Sequence, residues 1–363
     1  MKKKPYWSRK EKHMVQENFN GSDVDELVRQ LCWTNHEVES VTIKRCSRGF
    51  DSRQWLLLRA PVLNRLLHCC PLIRHLELSE VNIRSGKFFR NLGHLQCLKS
   101  LQLSYGHFLM PSYVRDVATQ CTHLTRLWLS GENCSGSSDA WQNAYTMLFS
   151  HRCNTLTHLK FDASKLTDSD FKGLAQCVNL HMLHLHKATH LDEQGLQAIG
   201  SLRCLLSLRL HNVRHLCFDS LVDLFRTDNL RGLVDLSLAD CSCVNDMCAE
   251  AIAKHCRHLH TLSLALVNGV TDNGVETIVR RCDALHYLDL YCMRSLTGVA
   301  FAAIALHARE LSFLVLEQPC DRKKEERVGE LNATVKVHRT PVWRTGGTHI
   351  CRLLSCSAYN CRL

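Results

Sequence analysis

Between Cys256 and Asp272 the chain reads CRHLHTLSLALVNGVTD, and its apolar residues hold a fixed register. Leu259, Leu262 and Leu264 give L-x-x-L-x-L, with Val267 three residues further on. The register returns at Leu285, Leu288, Leu290 and Met293, and upstream at Leu233, Leu236, Leu238 and Cys241. Alternation of this kind predicts a short strand with one buried face. The second apolar residue of each pair can be followed along the chain: Ile43, Leu78, Leu103, Leu129, Phe161, Leu185, Leu210, Leu238, Leu264, Leu290 and Leu316. Most of these are 25 or 26 residues apart, room for one strand and a helical return. Parallel neighbours need such a crossover. The pattern predicts about eleven units stacked as a solenoid.

The helical halves carry start signals. Thr167 precedes DSDFKGLAQC, with Asp170 placed as a capping partner and Phe171, Leu174 and Ala175 as the apolar stripe. Thr271 stands in the same way before DNGVETIVRRC, whose Val275, Ile278 and Val279 face inward. Either Asn245 or Asp246 opens MCAEAIAKHC. Val24, Leu27, Val28 and Leu31 fall at helical spacing, and Val38, Val41 and Ile43 begin a degenerate first repeat. Two units are long. Their surplus, SRGFDSRQW and GENCSGSSDA, is expected to emerge as loops. The resulting division is a flexible basic segment over 1–21, a repeat domain over 22–338, and an irregular tail over 339–363. DRKKEER, after the last regular unit, is a charged segment, and Leu331, Val335 and Val337 suit one closing strand.

The chain has 363 residues and is 45% hydrophobic, enough for a large core. No run approaches the ~18 consecutive apolar residues of a membrane span. The opening MKKKPYWSRKEKH has charge but no apolar segment after it, unlike a secretory signal. The 21 cysteines follow the repeat rather than a disulfide framework, which suits a reduced compartment; the cytoplasm or nucleus is the expected location. Cys70, Cys121, Cys153, Cys177, Cys256 and Cys282 precede strand leucines, where a small buried thiol fits the turn. The formal charge of +10 matches no nucleic-acid-binding motif.

With L-x-L inward, the intervening side chains face the opposite side of the sheet. That side is the concave surface of a solenoid, the usual place for a partner. Arg126, Trp128, His158, Lys160, His184, His186, Arg209 and His211 make a basic, histidine-rich stretch with an exposed tryptophan. Tyr287, Asp289 and Tyr291 follow as an aromatic and acidic patch. Aromatic residues and arginine are favoured interface anchors. The histidines have no converging carboxylate or thiolate in the sequence pattern, so no metal site is expected, and no cofactor. No Ser-His-Asp order, phosphate-cradling glycine loop or carboxylate pair stands out, which predicts a non-enzymatic chain.

The pattern C-x-x-L-x-x-L-x-L followed by L-T-D resembles the cysteine-containing leucine-rich repeat. Cys153 to Leu156 with Leu166-Thr167-Asp168 carries it, as does Cys256 to Leu264 with Val270-Thr271-Asp272. The resemblance, over about residues 24–338, is to the F-box/LRR proteins, substrate receptors of SCF-type ubiquitin ligases. It implies an α/β horseshoe, with parallel strands lining the concave face and helices on the convex one. It also implies a protein substrate held on the arc, beside a Skp1-type adaptor and a cullin. Such a receptor does no ubiquitin chemistry itself and acts by proximity. No segment here matches the family's F-box, so the adaptor contact attaches to no residue. The same repeat also suits an interaction scaffold independent of ubiquitin ligases.

Overall fold

The structure is a computed structural model that describes residues 6–8, 13–17, 28, 37–44, 56–57, 60–79, 81–83, 86–104, 108–130, 133–318 and 336–341. One sheet organises it. Its strands are β1 (Tyr6–Ser8), β2 (His13–Glu17), β3 (Ser40–Lys44), β4 (His75–Ser79), β5 (Ser100–Ser104), β6 (Arg126–Ser130) and β7 (His158–Asp162). They continue as β8 (Met182–His186), β9 (Ser207–Leu210), β10 (Asp235–Ser237), β11 (Thr261–Ser263), β12 (Tyr287–Asp289), β13 (Phe313–Gln318) and β14 (Lys336–Pro341). Spatial order equals chain order throughout. β2 to β14 run parallel, whereas β1 pairs with β2 antiparallel. The strand leucines predicted to face inward do so: Leu76, Leu78, Leu127, Leu129, Leu262 and Leu264 are at most 2% exposed. Burying each such side chain contributes roughly 1.5–3 kcal/mol.

The returns contain helices α1 (Ala60–Cys69), α2 (Gly86–Arg90), α3 (Pro111–Gln120), α4 (Ser138–Arg152) and α5 (Asp168–Leu174). After them come α6 (Glu193–Gly200), α7 (Phe218–Arg226), α8 (Asp246–His255), α9 (Asp272–Arg281) and α10 (Gly298–His307). Their apolar faces and the inward leucines form one continuous core. No helix among the described residues is long and apolar enough to cross a membrane.

Capping follows the sequence in α5, where Asp170 Oδ2 accepts from the Thr167 N–H at 2.9 Å and from its hydroxyl at 2.8 Å. Further along, the work is shared between units. Asn245 caps α8 by accepting from the Cys248 N–H at 3.1 Å. Asp246 reaches forward instead, accepting from Thr271 N at 2.8 Å and Thr271 Oγ1 at 2.6 Å. Thr271 therefore does not cap α9 with its own side chain; its hydroxyl donates to the preceding unit. Asp272 and Thr297 repeat the clamp one unit later. Asp246→Ala is expected to cost about 1 kcal/mol, the worth of a helix-terminal cap. Faster hydrogen exchange at the Thr271 amide, against an unchanged Cys248 amide, is the outcome to look for.

Strands β8 to β12 leave the sheet through a left-handed residue: Lys187, Asn212, Asp240, Leu266 and Cys292, with φ between 53° and 63°. Such a residue costs about 1–2 kcal/mol unless it is glycine. The conformation is held by hydrogen bonds to the next unit, as from Asp240 N to Ala265 O (2.9 Å) and Leu266 N to Tyr291 O (2.8 Å).

Three expectations change. Segment 1–21 is not simply a flexible arm, since β1 and β2 extend the sheet beyond the first repeat. The closing strand β14 runs to Pro341, past the boundary at 338. The GENCSGSSDA surplus is no free loop where it is described: Asn133–Cys134 pairs with Phe108–Leu109, and α4 begins at Ser138. Trp141, Tyr145 and Phe149 of α4 are buried, and Trp141 Nε1 donates to Ser135 O at 3.2 Å. The helix at 24–31 apart from Val28, the whole SRGFDSRQW surplus, DRKKEER, Leu331 and Val335, and residues 342–363 lie outside the described residues.

Candidate functional site

Strand alternation sends three columns of side chains out over the concave face. The middle column runs Trp128, Lys160, His184, Arg209, Ser237, Ser263, Asp289 and Val315, each in register with the next. The column before it runs Arg126, His158, Met182, Ser207, Asp235, Thr261, Tyr287 and Phe313. On the other side Asp162 pairs with His186. The His186 ring then meets His211 edge-on at 5.0 Å. All eleven residues named from the sequence thus lie on the concave side, though not all reach solvent.

Arg126 is exposed, and Trp128, His158, Lys160, His186, Arg209 and Tyr287 are half-buried. The Lys160 ammonium lies 5.6 Å from the Trp128 ring centroid, a cation–π distance. The tryptophan is less open than its position implies, because neighbours in the same column cover it; its Nε1 is buried with no hydrogen-bond partner among the described residues. His184 and His211 are each 5% exposed and Asp289 is 3% exposed. Hydrogen-bonded strands lie ~4.8 Å apart, so the outward side chains of successive units shield one another.

A polar network ties the basic stretch together. Ser207 Oγ donates to Asp235 Oδ2 at 2.5 Å, and Arg209 Nε donates to the same oxygen at 2.8 Å. The Ser207 proton being so used, His184 Nε2, 2.8 Å from Ser207 Oγ, is the donor in that pair. His211 Nε2 lies 2.9 Å from Ser237 Oγ. Lys187 Nζ donates to the buried Asp162 at 2.7 Å. Ser207, Asp235, Asp162 and Lys187 were missed from the sequence. Asp235 was within reach, since it holds the register position of Arg126, His158 and Tyr287.

Burial keeps the histidines neutral. It drives His211 down to about 3, helped by Arg209 and Lys160, and His158 to about 4, helped by Arg126 and His181. His184 and His186 are pushed well below the ordinary imidazole value, by burial first and then by neighbouring cations and rings. Among the described residues no group of three or more His, Cys, Asp or Glu is arranged to hold a metal. Several repeat cysteines are also protonated by burial, with Cys121, Cys177, Cys256 and Cys282 pushed up to about 12. Cys256 Sγ points to Leu230 O at 3.6 Å and Cys282 Sγ to Cys256 O at 3.8 Å, as structural thiols at the helix-to-strand turn.

The far patch is aromatic but not acidic at its surface. The Asp289 carboxylate accepts from Ser263 Oγ at 2.9 Å and Tyr291 N at 3.1 Å, and burial raises it to about 6. Tyr291 joins Ala239 and Ala265 in an apolar cluster separate from the main core, with Leu266, Cys292 and Val315 against it. Tyr287 and Phe313 sit side by side, ring centroids 6.5 Å apart, and Phe313 is 42% exposed.

Sequential parallel strands, helical returns and a shared register decide the architecture. The fold is a leucine-rich-repeat-type solenoid. Among solved structures it is similar to the one described as Rad7 and Elc1 complex in yeast, with 14% identity, 88% of each chain covered and a TM-score of 0.55. An internalin (inlF) from Listeria monocytogenes overlaps 88% of this chain and 90% of its own, at 13% identity and a TM-score of 0.48. At these identities the likeness is one of fold. No protein-family model matches the chain, and no curated protein does.

Proposed function

We propose that this chain is a non-enzymatic receptor that holds a protein on its concave face and recruits it, as substrate, to a ubiquitin-ligase assembly of the SCF type. The observation that carries the binding half is the strip over β6–β9. There Arg126, Trp128, Lys160 and Arg209 stand together on an open parallel sheet, with the cation of Lys160 over an aromatic face. Arg and Trp rank high among residues that anchor protein interfaces. The ligase half draws on the cysteine-containing repeat, shared in pattern with F-box/LRR receptors, and on Rad7, a protein of similar fold solved in a complex with Elc1.

Two measurements test the halves separately. The double variant Arg126→Glu, Lys160→Glu is expected to weaken partner capture by about tenfold or more while leaving the fold intact. Unchanged affinity removes the partner from the basic strip. Recovery of a Skp1-type adaptor and a cullin with the chain, at salt that strips loose charge contacts, supports the ligase role. Capture of a partner without either component would leave a ubiquitin-independent scaffold as the better reading.

A further inference from the structure

The concave face changes character along its length. Over β6–β10 the cations Arg126, Lys160 and Arg209, with Lys187 beside them, outnumber the carboxylates Asp162 and Asp235. Asp162 already faces Lys187, and Asp235 already faces Arg209. Over β10 and β11 the middle-column side chains are small: Ser237 and Ser263, with Ala239 and Ala265 two residues further on, all buried, while Asp235 and Thr261 stand in the column before them. Over β12 and β13 the surface is apolar and aromatic, through Tyr287, Phe313 and Val315.

Resting on the protein-binding reading above, we propose that the occupant of this face is one extended segment with two blocks. A run of Asp or Glu lies over Arg126 and Lys160, and an aromatic or aliphatic residue lies against Tyr287 and Phe313. The small residues between form a floor on which its backbone crosses the strands. Six strand-to-strand steps separate β7 from β13. At ~4.8 Å each they span ~29 Å. An extended peptide covers that distance with about nine residues. A single-stranded nucleic acid answers the charged end too, and its bases stack on aromatic rings, so displacement by an oligonucleotide is the outcome that separates it from a peptide.

A displayed library of random peptides, about twelve residues long to exceed that span, tests the assignment by selection on the full chain. The recovered sequences are expected to pair an acidic block with an aromatic or aliphatic block several residues away. Lys160→Glu and Phe313→Ser are each expected to weaken those peptides by about tenfold or more, because anchor residues carry most of an interface. Hydrogen exchange checks that both variants stay folded. Three results overturn the proposal. They are a selection that yields no binders or sequences lacking one block, an affinity indifferent to either variant, and displacement of the peptides by a single-stranded oligonucleotide at physiological salt. If Phe313→Ser leaves a natural partner's binding unchanged while the Arg126→Glu, Lys160→Glu pair weakens it, the two-block inference falls and the protein-binding reading stands.

Discussion

Asp235→Ala is expected to lower the opening free energy of the units around β10 by about 3 kcal/mol, at the low end for removing one partner of a buried ion pair. The carboxylate is the common acceptor of Ser207 Oγ and Arg209 Nε, with His184 Nε2 3.8 Å away. Its side chain is 10% exposed and that of Arg209 is 13% exposed. Alanine would leave a guanidinium, among neutral imidazoles, without its counter-charge. Hydrogen exchange on β9 and β10 reads this locally, which suits a solenoid whose stability is a sum over neighbouring units. The double variant Asp235→Leu, Arg209→Met should recover most of the loss, because an apolar pair has no charge to strand. An effect of Asp235→Ala below about 0.5 kcal/mol, the range of ordinary surface changes, would mean that solvent already screens the pair.

The other large effect is steric. Gly269 forms a parallel bridge with Asn245 of the preceding unit. A Cβ added there would stand 2.3 Å from Val244 O, a backbone atom that has no rotamer to change. Gly269→Ala therefore has to part the two units, and it is expected to cost about 2–3 kcal/mol, as overpacking does. Gly232→Ala is the control, since the nearest atom to its added Cβ is a Leu206 methyl at 3.9 Å. A thermal midpoint clearly lowered for Gly269→Ala, and near the parent's for Gly232→Ala, is the expected outcome. Equal midpoints would show that the contact relaxes without cost.

Nothing in the sequence marks Gly269 apart from the other glycines. Its close contact arises between units, at a distance set by how the solenoid curves. The left-handed turns were hidden for a related reason. Lys187, Asn212, Asp240, Leu266 and Cys292 include no glycine, and Asn212, Asp240 and Leu266 are held by donating their backbone N–H to a carbonyl of the next unit. The capping residues were half legible. Asp170 serves its own helix as its spacing predicts, while Asp246 and Asp272 serve the neighbouring threonine, a choice that local propensity does not encode.

Hydrophobic periodicity by itself determined the strand faces, the parallel order and the column on which each candidate residue stands. A strand has a period of two, and once the leucines are buried no freedom remains in where Trp128, Lys160 or Arg209 point. Tertiary structure decided what those side chains are once there. Neighbouring units meet at ~4.8 Å, close enough for Asp235 to neutralise Arg209 and for burial to keep three histidines uncharged. The same closeness turns Asp289 from a surface charge into a buried acceptor. Charge and exposure at an outward position depend on residues some twenty-six places away in the chain, and only the stacking of units brings them together.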